Sequence, residues 1–384
     1  MCAEHGCRPA LLAIDCREFV PGRITGINRF LQNVLQEIGD NRPRLTTVAL
    51  AEPDSPIPVT APHISTVRLS SPFTLYYDQV LLPRTLRALG STVFFSPYYK
   101  APLAAPCPTV ITIHDLTPLQ FAEYSRGSGR FYATAFKRWA ALIARRAAAV
   151  VTDSEFSKQQ ILTELGLPPH KIHVFHLGVG EEFQPTRDPS AASRLASRYG
   201  IDGDYLLALG NFLPHKNFPR LVEAYSGLPE PLRARVKLVL AGSIGDQGPA
   251  MSVEMATLAQ PGVLLPGFIA PEDLPILYSM ALAVVCASLM EGFGYAPLEA
   301  MACGTPVVCS QTGALPEVAG NAALYFDPTN VREMTAAIEQ ILTDHALRQN
   351  LAARGLARAR LFAPAQTTAR LVDLLEAVIA RGNA

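Results

Sequence analysis

Residues 281–310 of the chain read ALAVVCASLMEGFGYAPLEAMACGTPVVCS. The first apolar run of this stretch predicts a buried strand, and the last apolar run predicts a second one. Between them, Gly292 and Gly294 precede a helical pattern that we expect to begin at about Pro297. The stretch is therefore typical of a strand–helix–strand unit in a parallel sheet, and it indicates an α/β fold.

The loop of this unit carries groups that can hold an anionic ligand. Gly292 and Gly294 leave backbone N–H groups unshielded at a helix N-terminus, where unpaired donors and the helix dipole favour a phosphate. Glu299, in the first turn of the predicted helix, would lie close to a ribose diol attached to that anion, and Glu291 can accept from a sugar hydroxyl. The alternative is that both are ordinary acids, with Glu291 solvated and Glu299 complementing the helix dipole.

The same alternation of apolar runs and helical patterns continues on both sides of this stretch. It predicts two doubly wound parallel sheets, because strands that alternate with helices form βαβ units. The runs predicted as strands are PALLAID, TVAL, TVFFSP, TVITIHD, AVVTDS, KIHVFHLG, DYLLALG, VKLVLAG, VLLPGF, LAVVCAS and TPVVCS.

The series of strands restarts after a polar stretch at residues 184–193, where we place the domain boundary. We expect one Rossmann-like domain over 1–185, a second over 186–364, and an amphipathic helix over 365–384 that packs back on the N-terminal domain. Ligands of such sheets bind at the carboxyl ends of the strands, so the two domains are expected to face each other across a cleft.

The composition agrees with two globular domains. The chain has 384 residues, of which 49% are hydrophobic and 17% charged, which excludes a disordered chain. Lys and Arg total 33, as do Asp and Glu, so bulk charge gives no support to a nucleic-acid partner. The seven cysteines form no CxxC pair, as expected of reduced thiols without a zinc site. Without a signal-peptide pattern or a long uncharged apolar stretch, we expect a cytoplasmic protein.

Further candidate site residues follow predicted strands. Lys216 comes after DYLLALG and can offset the charge of a diphosphate. His114 comes after TVIT and can donate to a sugar hydroxyl or take part in proton transfer. In the loop after the first strand, Gly26 permits close approach of the backbone to a phosphate or acceptor, and Arg23 is a weaker candidate. Each also has a plain structural interpretation, as a surface lysine, a packed turn histidine or a loop that leads into a helix cap.

The stretch from Glu291 to Val308 resembles the signature of the retaining glycosyltransferases of family 4, E-G-F-G-x-x-x-x-E-A-M-A-x-G-x-P-V-V. The segments T-G-I-x-R-F, His114-Asp115 and L-G-N-F-L-P-H-K-N resemble further parts of the family pattern and occur in the expected order. The resemblance covers nearly the whole chain and implies the two-domain GT-B architecture, with a nucleotide sugar bound by the C-terminal domain and the acceptor on the N-terminal side.

The resemblance also implies roles for individual residues, all of which are expectations. Glu291 contacts the transferred hexose, Glu299 holds the ribose, and the amides of 292–294 (Gly292, Phe293 and Gly294) meet the sugar and diphosphate, with the loop 313–317 closing the site. Lys216 binds the diphosphate; many family members have an arginine where this chain has Asn211, so Lys216 carries more of that charge, with His215 as a helper. His114 lies near the donor sugar, and Gly26 borders donor phosphate and acceptor.

The implied function is transfer of a hexosyl group, with mannosyl favoured, from a nucleotide-diphosphate sugar such as GDP-mannose to a glycan or a lipid-linked glycan. The predicted enzyme acts with retention and without a metal or cofactor, in surface polysaccharide or lipopolysaccharide synthesis. Asp202-Gly-Asp204 looks like the D-x-D metal element of other glycosyltransferases, but we interpret it as a turn before a strand. The alternatives are a GT-B epimerase or phosphorylase, or a non-catalytic subunit that binds sugar nucleotides.

One segment allows a membrane interpretation. Residues 126–146 hold six basic and no acidic side chains. Helical phasing predicts a basic arc with Arg130, Lys137, Arg138 and Arg145, beside an apolar arc with Phe131, Ala135, Trp139 and Leu142. The basic arc is either a solvated helix face or a surface for peripheral contact with anionic lipid headgroups on the inner face of the membrane.

Overall fold

The computed structural model describes residues 10–20, 25–120, 129–186, 189–242 and 258–382. The chain forms two compact units. The first contains Met1–Gly178 together with Pro364–Ala384, and the second contains Val179–Ala363. The boundary predicted from the sequence lay between residues 185 and 186, and residues 365–384 were predicted as a separate helix.

The first unit is built on a parallel sheet in the strand order β3-β2-β1-β4-β5-β6-β7, as far as the described residues show. Its strands are β1 (Leu11–Asp15), β2 (Thr46–Ala51), β3 (Ile64–Arg68), β4 (Val93–Ser96), β5 (Thr109–Thr112), β6 (Ala149–Thr152) and β7 (Ile172–Val174). Its helices are α1 (Gly26–Asn41), α2 (Thr74–Tyr76), a π turn (Tyr77–Leu81), α3 (Leu82–Leu89), α4 (Thr117–Gln120), α5 (Gly129–Arg146), α6 (Glu155–Leu165) and a 3-10 turn (Pro169–Lys171).

The second unit repeats the architecture with a parallel sheet in the order β10-β9-β8-β11-β12-β13 over its described part. Its strands are β8 (Asp204–Leu209), β9 (Val236–Ala241), β10 (Val263–Gly267), β11 (Ala283–Cys286), β12 (Val307–Ser310) and β13 (Ala323–Phe326). Its helices are α7 (Pro189–Tyr199), α8 (Phe218–Ser226), α9 (Glu230–Arg235), α10 (Leu274–Met280), α11 (Tyr295–Ala302), α12 (Leu315–Ala319), α13 (Val331–Thr343) and α14 (His345–Ala359), with 3-10 turns at Pro214–Lys216, Pro271–Asp273 and Arg360–Phe362.

Each unit has its own hydrophobic core between sheet and helices, which confirms the predicted pair of doubly wound α/β domains. The last helix, α15 (Pro364–Gly382), belongs to the first unit and packs against α1. Leu371, Leu375 and Val378 of this helix are buried. Arg42, at the end of α1, forms ion pairs with Asp373 at 2.8 Å and Glu376 at 3.1 Å. The C-terminal segment therefore completes the first unit.

Helix α5 differs from the predicted phasing. The buried side chains in its described part include Phe136, Ala140 and Ile143, whereas Ala135 and Leu142 are exposed. The buried face is thus rotated by about one residue from the predicted apolar arc, because Phe136 and Ile143 supply the large side chains that pack into the core of the first unit. In the part of the chain that can be described, no helix combines the length and the apolar character needed to cross a bilayer.

Candidate functional site

The carboxyl end of β11 leads into a loop that is anchored by hydroxyl groups. Ser310 Oγ and Thr312 Oγ1, at the end of the neighbouring strand β12, donate to the Ser288 carbonyl oxygen at 2.6 and 3.1 Å. The Ser288 hydroxyl in turn donates to Glu291 Oε1 at 2.6 Å. These bonds place the Glu291 carboxylate at the strand end, where the sequence predicts a ligand site.

Glu291 forms an ion pair with Lys216. The Lys216 Nζ to Glu291 Oε1 distance is 2.6 Å, and the two side chains are only 18% and 15% exposed. Burial favours the neutral carboxyl, but the charges of Lys216 and His215 and the hydrogen bonds from Lys216 and Ser288 outweigh it, so the pKa of Glu291 is lowered. At neutral pH the site therefore holds a fixed carboxylate beside an ammonium group.

Lys216 is positioned by the turn at Pro214–Lys216 and by the residue that follows it. Asn217 has a left-handed backbone with φ 60°, which asparagine tolerates better than most residues. Its side-chain amide donates to the carbonyls of Ala287 at 3.0 Å and Pro328 at 2.8 Å, so it ties the turn to two other connections of the sheet. This role of Asn217 was not predicted from the sequence, although the lysine–asparagine pair was part of the motif.

Glycines shape the loop around Glu291. Gly313 has a φ of 64°, and a Cβ atom there would lie 2.7 Å from the Glu291 carbonyl oxygen and 2.8 Å from its nitrogen. The next residue, Ala314, donates its N–H to the Glu291 carbonyl at 3.0 Å. Gly294 has a φ of 114° and precedes α11, which begins at Tyr295 and not at Pro297 as predicted. The two loops are therefore packed against each other through their backbones.

Two of the predicted donor-binding residues have deeply buried side chains. Phe293 is 4% exposed and packs edge-to-face against Tyr295 and Phe362, so its ring belongs to the protein interior. Glu299 is 2% exposed and accepts a hydrogen bond from the Tyr278 hydroxyl at 2.7 Å. Because α11 begins two residues early, Glu299 lies in its second turn and not in the first. Asn211 follows β8 and is exposed.

His114 and Gly26 belong to the first unit. The His114 Nδ1 atom lies 2.6 Å from Asp153 Oδ2, and the His114 Nε2 atom lies 3.0 Å from the Pro97 carbonyl oxygen. Burial disfavours the imidazolium, but the Asp153 carboxylate and the Pro97 carbonyl stabilise it, and the pKa of His114 is raised. Both ring nitrogens thus have partners, and a direct ligand contact requires one of these bonds to open.

Gly26 is the first residue of α1, next to the cap residue Thr25; Arg23 lies outside the described residues.

The end of β1 holds a buried ionic cluster that the sequence analysis missed. The Arg17 guanidinium contacts Asp15 at 2.5 Å and Asp78 at 2.8 Å, and its carbon lies 3.9 Å from the centre of the Tyr77 ring. Tyr77 and Asp78 are on the π turn, far from Asp15 in the sequence. No local motif signals such a cluster, because it forms only when the π turn packs against the strand end. It fixes the start of the loop that leads to Gly26.

The D-x-D segment lies at the amino end of β8, whereas the loop of Glu291 lies at the carboxyl ends of the strands of the same sheet. Asp204 is the first residue of β8, whereas Lys216 follows the carboxyl end of that strand. Asp202 forms an ion pair with Lys237, and Asp204 lies 4.0 Å from Arg235. Neither aspartate is placed to meet the ligand site. Among the described residues, no group of three or more His, Cys, Asp or Glu is arranged to hold a metal ion.

The predicted basic arc of α5 is partly occupied by contacts within the unit. Lys137 pairs with Glu164 at 2.8 Å, and Arg145 donates to the Leu165 carbonyl at 3.2 Å. Arg138 is exposed, and the side chain of Arg130 lies outside the described residues.

Several bacterial mannosyltransferases are similar to this chain. "O-antigen chain mannosyltransferase B" of Escherichia coli is 36% identical over 227 residues, which are 58% of this chain and 59% of that protein. "Serotype-specific mannosyltransferase WbdA" of Escherichia coli is 32% identical over 273 residues, or 70% of this chain and 33% of that protein. The matched part thus spans about three fifths of the first relative and a third of the second.

Solved structures show the same fold at lower sequence identity. Sucrose-phosphate synthase from Thermosynechococcus elongatus superposes with a TM-score of 0.77 at 20% identity, covering 97% of this chain and 100% of that chain. HepE of Anabaena in complex with UDP and glucose superposes with a TM-score of 0.75 at 20% identity, covering 96% and 100%. The predicted GT-B architecture is therefore confirmed at the level of the fold.

Two family models match consecutive parts of the chain. "Glycosyltransferase Family 4" matches residues 24–183, and "Glycosyl transferases group 1" matches residues 197–358. The matches follow the order of the two units and leave only short segments uncovered. With the fold, the glycine loop and the mannosyltransferase relatives, they establish that the chain belongs to the family 4 glycosyltransferases.

Proposed function

We propose that the chain is a retaining hexosyltransferase that moves a mannosyl group from a nucleoside-diphosphate sugar to a hydroxyl group of a glycan. The observation that carries this proposal is the ion pair between Lys216 and Glu291 at the carboxyl end of the second sheet, beside a glycine loop. An ammonium group can bind a diphosphate, and a fixed carboxylate can accept hydrogen bonds from the hydroxyls of a sugar. Backbone N–H groups can stabilise the negative charge that develops as the diphosphate leaves.

The proposed reaction keeps atoms and charges balanced. The acceptor oxygen attacks the anomeric carbon on the face that the diphosphate leaves, so the configuration is retained. The bond between that carbon and the phosphate oxygen breaks, and the acceptor proton passes to an oxygen of the leaving diphosphate. No protein nucleophile and no metal ion is needed in this scheme, because Lys216 and the loop amides stabilise the departing charge.

Glu291 and Lys216 have separate tasks in the proposal. The lowered pKa keeps Glu291 ionised, so it accepts hydrogen bonds from hydroxyls of the transferred sugar. The Lys216 ammonium has three N–H donors, so it can keep its bond to Glu291 while it contacts a phosphate oxygen. Glu299, held by Tyr278, is proposed to receive the ribose diol.

The donor sugar is proposed from the relatives. Both Escherichia coli relatives described above carry the name mannosyltransferase, which favours a mannosyl donor such as GDP-mannose. A thermal-shift panel with GDP-mannose, UDP-glucose, UDP-GlcNAc, GDP and UDP tests this choice, because a ligand that binds only the native state raises its stability. We expect the largest shift with GDP-mannose and GDP. No shift with any of the five, in a folded protein, would contradict the proposed donor class.

Product analysis separates transfer from the other reactions of this fold. A transferase releases the nucleoside diphosphate at a rate that depends on an added glycan and forms a longer glycan. An epimerase changes the nucleotide sugar without a glycan, a phosphorylase requires phosphate, and a binding subunit turns over none of them. Only the first outcome agrees with the proposal.

Peripheral contact with a membrane stays a prediction. Such contact would bring the enzyme close to a lipid-linked acceptor. On α5, Arg138 and Arg146 are exposed, whereas Lys137 and Arg145 already have partners within the first unit. Co-sedimentation with vesicles that contain anionic lipid, at low and high salt, tests the prediction. Binding that is lost in an Arg138→Glu, Arg146→Glu variant would support it, and no binding at low salt would contradict it.

A further inference from the structure

Helix α12, which follows Gly313, is hydrogen-bonded to an arginine of α14. Arg358 donates from Nε to the Val318 carbonyl at 2.8 Å and from Nη2 to the Glu317 carbonyl at 2.5 Å. Both carbonyls belong to α12, which comes directly after Gly313 and Ala314. A planar guanidinium that bonds two successive carbonyls fixes the direction as well as the position of this short helix.

The same guanidinium also contacts the support of the glycine loop. The Arg358 Cζ atom lies 5.1 Å from the centre of the Phe362 ring, which meets the Phe293 ring edge-to-face at 5.9 Å. Phe293 lies between the two glycines of the loop, and both phenylalanines are buried. The Phe362 carbonyl accepts the Val179 N–H at 3.1 Å, which holds Phe362 in place from the other side.

These contacts form a closed ring around the backbone of Glu291. On one side, the Ala314 N–H donates to the Glu291 carbonyl, and Ala314 leads into α12. On the other side, Glu291 leads through Gly292 to Phe293, whose ring rests on Phe362. The Arg358 side chain contacts both halves of this ring, through the α12 carbonyls on one side and the Phe362 ring on the other.

We propose that Arg358 is a positioning residue of the donor site, which sets the spacing between the glycine loop and the loop 313–317. This inference rests on the proposed function, since it assumes that both loops contact the nucleotide sugar. A lysine in this place keeps the charge, but its donors diverge from one tetrahedral nitrogen. It therefore lacks the planar fork that bonds two successive carbonyls while the face of the guanidinium covers the Phe362 ring. Correct spacing then depends on the guanidinium and not on positive charge alone.

Hydrogen exchange of the unliganded protein tests the positioning without any substrate. Arg358→Ala is expected to speed exchange of the Ala314 amide by about tenfold or more, because its hydrogen bond to Glu291 opens more often. Arg354→Ala is the matched control: Arg354 lies one turn earlier on the same helix, is exposed, and donates to the Asn321 carbonyl at 3.3 Å. The control is expected to leave the Ala314 amide unchanged. Equal exchange of this amide in wild type and Arg358→Ala would overturn the proposal.

Donor affinity gives the second readout, measured by titration with GDP-mannose well below the melting temperature of each variant. Arg358→Ala and Arg358→Lys are both expected to raise the Kd about tenfold or more, whereas Arg354→Ala leaves it unchanged. A lower melting temperature with an unchanged Kd would show that Arg358 supports stability alone, and an unchanged Kd in Arg358→Lys would show that the fork is not required. Either result overturns the proposal. If wild type binds no nucleotide sugar, the proposed function fails, whereas the exchange experiment still decides whether Arg358 sets the loops.

Discussion

At the level of single residues, the pair formed by Lys216 and Glu291 imposes the strongest constraint on the chemistry. Glu291→Gln keeps the shape of the side chain but removes the charge that faces the ammonium and the sugar hydroxyls. We expect transfer to fall about 10²–10³-fold, the usual effect of removing one preorganised polar group from an active site. Initial rates of glycan extension measure this loss.

Asp204→Asn serves as the control for that substitution. Asp204 is an exposed carboxylate at the amino end of β8, and its contact with Arg235 is long, at 4.0 Å. Its replacement is expected to leave both transfer and folding unchanged, because exposed ion pairs contribute little to stability. A Glu291→Gln variant that transfers as fast as Asp204→Asn would contradict the role of Glu291, and a metal requirement lost in Asp204→Asn would contradict the metal-free scheme.

The pair of His114 and Asp153 predicts a pH dependence of stability. Because the pKa of His114 is raised in the folded state, its stabilising effect is complete below the unfolded pKa of about 6.5 and is lost as the pH rises through the folded pKa. The free energy of unfolding of wild type minus that of His114→Gln is therefore expected to shrink as the pH rises through the folded pKa. Urea unfolding followed by the fluorescence of Trp139, the chain's single tryptophan, reports on this unit. A difference that grows with pH would contradict the assignment.

At the level of elements, the approach of the loop 313–317 to Glu291 depends on a glycine. Gly313→Ala is strained by its positive φ and also pushes a Cβ atom against the Glu291 backbone. Gly203→Ala is the matched control, since Gly203 has a φ of 71° but nothing within 4 Å of the added atom. The control is expected to cost about 1 kcal/mol of stability and to keep transfer, whereas Gly313→Ala costs more and reduces transfer about tenfold or more. Thermal melts and initial rates of both variants measure the difference, and similar effects of the two would contradict the close-approach explanation.

Most strands could be predicted from the sequence because they are buried apolar runs that end in polar or glycine residues. The two strands that were missed, β3 and β13, lie at the edges of their sheets. The β3 sequence ISTVR is largely exposed and forms no clear apolar run. The β13 sequence ALYF is apolar, but it is only four residues long and three of the four are only partly buried. The phase of α5 was wrong because apolar residues occur in adjacent pairs, as in Ala135-Phe136 and Leu142-Ile143, so the pattern alone does not decide which of the two faces is buried.

The positions of Glu291, Lys216 and the glycines at strand ends could be predicted, because one local segment carries each of them. It could not be predicted where partners come from distant segments. Asp153 lies 39 residues from His114, and Arg17 meets Asp78 only through the π turn. The burial of Phe293 was missed because its partner Phe362 stands at the far end of the second unit. The identity of such residues depends on tertiary packing and not on local pattern.

At the level of the whole molecule, the chain leaves the first unit after Gly178 and returns to it at Pro364. Leu375 of α15 is fully buried in the first unit, so Leu375→Ala is expected to destabilise that unit by about 2–5 kcal/mol. Leu342→Ala, in the core of the second unit, is the matched control. Urea unfolding followed by Trp139 should shift in the first variant and not in the second. An equal shift in both would show that the two units unfold together.

The chain belongs to the glycosyltransferases of family 4, and retaining transfer from a nucleoside-diphosphate sugar is the activity proposed for it. The most direct measurement is proton NMR of the glycan formed from GDP-mannose and a mannose-terminated acceptor. Retaining transfer predicts release of GDP only with acceptor present, and a new mannosyl residue with the same α configuration that it has in the donor. A product of β configuration, or turnover of GDP-mannose at a rate that does not depend on the acceptor, would contradict retaining transfer.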